Sequence, residues 1–243
     1  MRALDEPNAS AVIEVRSLRR VIGLIAVLLP WTLVVSERLR QVLFGARVGA
    51  AGPWIERSIS AYFHTGVREI FVGALGAIGV FLLAYRGLQR IDVLASNVAG
   101  FLALVVAALP TYEQPLDPKV NSTDSVTLFS DAFHPDPVVV GRIHFAAAAL
   151  LFVTLAYMSL FLFTRTDQAV PTPQKRARNV VYVVSGITIV AAIAAIAVVK
   201  LTNVEDLVAG IVFWLETVAM TAFGVSWLTK SEIILGDEPP STS

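Results

Sequence analysis

The chain has no cysteine. That excludes disulfides, thiolate metal sites and cysteine nucleophiles together, and leaves His, Asp and Glu as the side chains able to ligate a metal. Charge is scarce as well: 16% of the residues are Asp, Glu, Lys or Arg, against about 25% in a soluble globular domain. The 19 basic residues balance the 19 acidic ones, so nothing argues for nucleic acid or another polyanionic partner. Histidine is rarer still, with three in 243 residues. Internal repeats are also missing at the level of motifs, which removes the symmetry signature of an inverted-repeat transporter.

Apolar residues fill the gap. They make up 56% of the chain and raise its mean hydropathy to +0.70, the composition of an integral membrane protein. A spanning helix needs roughly 20 mostly apolar residues, and six segments answer that description: 19–36, 67–86, 91–110, 138–164, 179–199 and 207–228. The expected architecture is all-α, a single polytopic membrane domain of six transmembrane helices over 1–243. Lys and Arg gather on one side, at Arg16, Arg19, Arg20, Arg86, Arg90, Arg165, Lys175 and Lys230 among others. The positive-inside rule makes that side, and both termini, cytoplasmic. Arg38, Arg40, Arg47 and Arg57 go against this count on the first outer segment. In that segment Leu39, Val42, Leu43 and Phe44 recur at helical spacing between arginines, which predicts an interfacial stretch between helices one and two, lying in the headgroup plane.

Ionisable groups near hydrocarbon are costly, so their position carries information. His64, His134 and His144 all fall at the outer end of the predicted bundle. The string Ser58-Ile-Ser60-Ala-Tyr62-Phe-His64 leads into Arg68 and Glu69. If helix two begins near Ala61, His64 and Arg68 share one helical face. Tyr112 is expected at the same end, Asn97 in an interhelical hydrogen bond, and Asp92 in a cap or ion pair. Glu216 is expected near mid-membrane, where a carboxylate has to be protonated, paired or facing a wet cavity. Gly73, Gly76 and Gly79 predict close backbone approach by a neighbouring helix. Against these readings stand plainer ones: Arg68 reaching lipid phosphate, and histidines merely hydrogen-bonded at the interface.

Three imidazoles with an open position suit zinc and hydrolysis, because zinc-bound water ionises near neutral pH. His64, His144 and His134 are the candidate ligands; Ser60, His64, His144 and Glu216 are the candidate catalytic groups. Tyr62, Arg68, Glu69, Tyr112 and Asn97 are the candidate substrate-binding residues. No HExxH or HxxxH spacing is present.

The Ser-Ile-Ser-x-Tyr-x-His-x3-Arg string, with Tyr85-Arg-Gly, Asp92, Asn97-x-Ala-Gly100 and Phe213-Trp-Leu-Glu216, resembles a bacterial family of uncharacterised six-span membrane proteins, over nearly the whole chain. That resemblance implies six spans in a bacterial inner membrane and no defined activity. The Ser-Ile-Ser-Ala string is also similar to the start of DRAM-type lipid-remodelling proteins. More distantly, Ser60-x3-His64 and Asp92 resemble elements of the CREST membrane hydrolases, which hold zinc for lipid amide hydrolysis. Their His-x3-His is absent here, so that resemblance implies His144, His134 and Glu216 in its place. Two function classes follow: a metal-assisted hydrolase or remodelling enzyme acting on membrane lipid at the outer leaflet, or a lipid-binding protein or small-solute or ion transporter using the same polar site. A homo-oligomer is compatible with either.

Overall fold

The computed structural model describes residues 9–44, 54–87, 89–111, 136–166, 171–202, 208 and 210–235, with side chains of the first helix described from residue 15. Among them there is no strand. The elements are α1 (Ala9–Phe44), a 3-10 turn (Ser60–His64), α2 (Arg68–Ala84), α3 (Arg90–Ala108), α4 (Pro137–Tyr157), which continues through a π-helical turn (Met158–Leu162), α5 (Pro173–Thr202) and α6 (Ile211–Lys230). Five of the helices are long and apolar enough to cross a membrane. The sixth, α2, has 17 residues and a length of about 26 Å at 1.5 Å per residue, slightly under the roughly 30 Å of a hydrocarbon core.

Each helix packs on its neighbours in sequence, and α6 closes the ring against α1. Lipid is as apolar as leucine, so small residues rather than a hydrophobic drive set how closely such helices approach. At the α1/α6 crossing a Cβ on Gly224 would lie 2.7 Å from the Gly23 carbonyl oxygen, and one on Gly23 would lie 2.9 Å from the Gly224 carbonyl oxygen. Gly79 and Gly100 play the same part between α2 and α3. The glycine series of α2 is therefore used at one position only: Gly73 and Gly76 face open space. Beside the Gly79 contact, the fully buried Ser96 hydroxyl donates to the Leu82 carbonyl. Asn97, the next residue, faces outward, so the interhelical bond expected of Asn97 is made by Ser96.

Aromatic rings fill the interior near one end. Trp227 is fully buried, with Tyr85, Phe163 and Phe223 edge-on to it at centroid distances of 5.1, 5.5 and 5.9 Å.

The first helix departs from the sequence expectation. It does not stop at residue 36; it runs on to Phe44, so the stretch read as interfacial begins as the end of α1. Local side-chain pairs account for those extra turns. Arg40 donates to both carboxylate oxygens of Glu37, at 2.9 and 2.6 Å, and Gln41 donates to the same carboxylate at 3.0 Å. These are the i,i+3 and i,i+4 spacings at which helical neighbours meet. The second helix keeps close to its expected 67–86 span, and the alternative start near Ala61 is not taken. Ser60–His64 form a separate 3-10 turn, Thr65 is extended (φ −107°, ψ 174°), and α2 starts at Arg68.

Candidate functional site

The 3-10 turn is held from below by the start of α6. That helix opens at Gly210 in the left-handed conformation (φ 74°). The Phe213 amide then donates to the Arg57 carbonyl (3.0 Å), and the Ile59 amide donates to a Glu216 carboxylate oxygen (2.6 Å). Glu216 therefore sits in the second turn of α6, where its carboxylate anchors a neighbouring loop. Ser60 and Tyr62 are buried in the turn. Tyr62 packs on Phe213, 6.1 Å between centroids, and burial pushes its phenol up to about 12, keeping it protonated.

His64 and His144 converge as expected, on one short stretch just beyond α3. Leu109 is extended (φ −102°, ψ 130°) ahead of Pro110, and the helix ends there. Its last carbonyls lack helical N–H partners. His144 Nδ1 lies 2.7 Å from the Leu109 carbonyl oxygen, and His64 Nε2 lies 2.9 Å from the Thr111 carbonyl oxygen. A carbonyl only accepts, so those two ring nitrogens carry the hydrogens. His144 is 1% exposed, and among the described residues its Nε2 has no hydrogen-bond partner.

Other candidates are dispersed. The extended Thr65 breaks the helical register, so His64 and Arg68 do not share a face; the Arg68 guanidinium stacks over Phe63 at 4.6 Å. Glu69 and Asn97 are exposed, and Asn97 lies 12 residues before Leu109 in sequence, about 18 Å along the axis of α3. His134 and Tyr112 lie outside the described residues. Among the described residues no three His, Asp or Glu side chains come together to hold a metal. The two imidazoles fall short of the three protein ligands of a catalytic zinc.

The opposite end of the bundle holds a cavity of about 380 Å³, lined by Arg19, Tyr85, Gln89, Asp92, Met158, Leu162, Phe163, Arg165, Thr166 and Lys230. Its volume falls within the roughly 300–1,000 Å³ of small-molecule pockets. The apolar floor is buried, with Met158, Phe163, Tyr85 and Leu162 each 5% exposed or less. Gln89, Arg165 and Thr166 form an exposed rim. The π-turn at the end of α4 shapes this wall: one extra residue per turn lets the Phe163 amide reach the Met158 carbonyl (2.9 Å) and reorients the residues that follow. Such single π-turns are often found at functional sites.

Three cations line the cavity and come from three places in the chain. Arg19 on α1 donates to the Lys230 carbonyl and to the Tyr85 hydroxyl, both at 3.2 Å, while its Nε is buried with no partner among the described residues. Lys230 at the end of α6 holds its ammonium 5.5 Å over the Phe163 ring. Arg165 donates to the Gln89 side chain (2.7 Å) and lies 3.8 Å from Asp92. Asp92 forms a capping box with Gln89 at the start of α3, the structural role expected of it, though its ion-pair partner is Arg165 and not Arg86 or Arg90. Among the described residues neither Arg19 nor Lys230 has a carboxylate within 4.0 Å.

Arg19, Arg165 and Lys230 were legible in the sequence only as votes for orientation. The sequence signal for them is weak: all three fall on the same predicted side of the bundle. No family model, no curated protein and no solved structure matches this chain.

Proposed function

We propose that the protein binds a membrane lipid and takes its phosphate-bearing headgroup into the basic cavity, without catalysing a reaction there. The observation that carries this reading is the cavity itself, lined by Arg19 and Lys230 with no carboxylate within 4.0 Å of either among the described residues. A cation set partly out of water needs a counter-charge. Arginine in particular suits the oxygens of phosphate. The polar rim and buried apolar floor match an amphiphile at a membrane boundary. Under the positive-inside rule this is the cytoplasmic face of a multi-pass protein of the cell membrane.

Native mass spectrometry from mixed micelles tests the reading, with phosphatidylglycerol compared with diacylglycerol, which has the tails and no phosphate. Wild type is expected to retain phosphatidylglycerol, and the Arg165→Gln, Lys230→Gln double variant to lose at least about tenfold in retention, the scale of one lost charge-assisted hydrogen bond. Equal retention of both lipids by wild type overturns it.

A zinc-dependent lipid hydrolase at the histidine end is the second reading, favoured by one observation. His144 donates from Nδ1 to a backbone carbonyl, and among the described residues its Nε2 has no hydrogen-bond partner, the tautomer of a metal-ligating histidine. Elemental analysis of protein purified without chelators decides it. Near-stoichiometric zinc that disappears in both His64→Ala and His144→Ala supports the hydrolase; metal-free wild type removes it.

A further inference from the structure

We infer that the headgroup this cavity selects is a phosphomonoester dianion rather than a phosphodiester. The inference rests on the lipid-binding reading above and names the chemistry of that same site.

Two independent features of the lining agree. The first is charge. Arg19, Arg165 and Lys230 face a single carboxylate, Asp92, which leaves two positive charges to be matched. A terminal phosphate carries close to two negative charges at neutral pH; a phosphodiester carries one. Asp92 is partly engaged: its Oδ2 accepts from the Gln89 amide at 3.1 Å, while its Oδ1, 3.8 Å from Arg165, has no hydrogen-bond partner among the described residues. The second feature is donor number. A phosphomonoester presents three terminal oxygens and a diester two. The cavity offers three cationic side chains carried by three separate segments: α1, the turn after α4, and the end of α6. Among the described residues the Lys230 ammonium has a ring face at 5.5 Å and no carboxylate within 4.0 Å, so its charge is left for a bound anion to match.

Structural duties explain part of the set, since Arg19 also ties α1 to the Lys230 carbonyl and to the Tyr85 hydroxyl. Lys175, outside the cavity lining, donates to the Phe163 carbonyl at 2.7 Å, and Arg16 is accounted for by Glu232 at 2.8 Å. Lys230 differs from both in lining the cavity and in having, among the described residues, neither a carbonyl nor a carboxylate as its ammonium's partner.

The experiment uses the full chain in detergent and measures competition between phosphatidic acid and phosphatidylglycerol of identical tails, with soluble glycerol 3-phosphate as a separate arm. Wild type is expected to prefer phosphatidic acid by at least about tenfold, the increment of an additional charge-assisted hydrogen bond. Lys230→Gln is expected to bring that ratio toward one while phosphatidylglycerol binding falls less. A ratio is internal to each protein preparation, so partial misfolding of a variant does not imitate the result. Equal binding of the two phospholipids by wild type overturns the monoester inference and leaves lipid binding standing. Failure of both to outcompete diacylglycerol overturns the lipid-binding reading itself. If glycerol 3-phosphate displaces phosphatidic acid at equal concentration, the monoester chemistry stands and the lipid reading falls.

Discussion

Replacing Arg19 by methionine is expected to lower retention of phosphate-bearing lipid by more than about tenfold, the scale of a lost charge-assisted bond, and to lower the thermal stability of the bundle. Arg19 does two jobs at once. Its Nη atoms tie α1 to the Lys230 carbonyl at the end of α6 and to the Tyr85 hydroxyl just beyond α2, and its guanidinium lies 5.4 Å over the Tyr85 ring. Each charge-assisted hydrogen bond contributes about 2 kcal/mol, and methionine preserves the length of the side chain but none of its donors. The two jobs separate with Arg19→Lys, which keeps the charge and loses the planar fork. That variant is expected to recover part of the lipid retention and little of the stability. The measurements are lipid retention by native mass spectrometry and melting temperature in detergent. Arg19→Met binding phosphatidylglycerol as wild type does would remove this residue from the site.

The largest stability effect is expected at Gly224. Gly224→Val places a Cβ 2.7 Å from the Gly23 carbonyl oxygen and 3.1 Å from the Val27 amide nitrogen. Both are main-chain atoms of α1 and have no rotamer to escape into. The helices have to separate, and separation uncovers Ile22, Ala26 and Leu29, all at most 2% exposed. Overpacking of this kind costs about 1–3 kcal/mol where side chains can adjust; with backbone on the receiving side the upper part of that range applies. Gly76→Ala supplies the opposite expectation. Its Cβ would meet nothing within 4 Å, and removing a helix-interior glycine is favourable by roughly 0.8–1.0 kcal/mol. Melting curves in detergent should therefore move down for Gly224→Val and stay level or rise for Gly76→Ala. Equal shifts of the same sign would mean the α1/α6 contact is not what limits stability.

The same pair of glycines shows how legibility divides in a membrane protein. The α2 series Gly73, Gly76 and Gly79 is plain in the sequence, yet only Gly79 meets a neighbour closely. Ser96 and Asn97 are adjacent polar residues, and the less conspicuous serine makes the interhelical bond. In a soluble helix the polar face marks the outside. Here both the packed face and the lipid face are apolar, so periodicity does not tell them apart. Glu216 illustrates a second limit: its depth follows from where α6 starts, and that start depends on Gly210 and on the Arg57 and Ile59 main-chain contacts across the chain.

Apolar runs of spanning length and scarcity of charge were enough to establish an all-helical chain built for a membrane, with His64 and His144 at one end, though the first helix runs from Ala9 to Phe44 rather than over 19–36. Those properties are local, because a helix in hydrocarbon satisfies its own backbone and needs only length and composition. Tertiary structure alone decided that the two imidazoles serve the proline-terminated end of α3, and that Arg19, Arg165 and Lys230, far apart in sequence, line one cavity at the other end. Convergence of that kind depends on how closely helices approach and how each is rotated. Those are set by a π-turn and by glycine contacts and buried hydroxyl bonds between helices, Ser96 to Leu82 and Ser159 with Ser226, whose partners lie on other helices and are not encoded in any one segment.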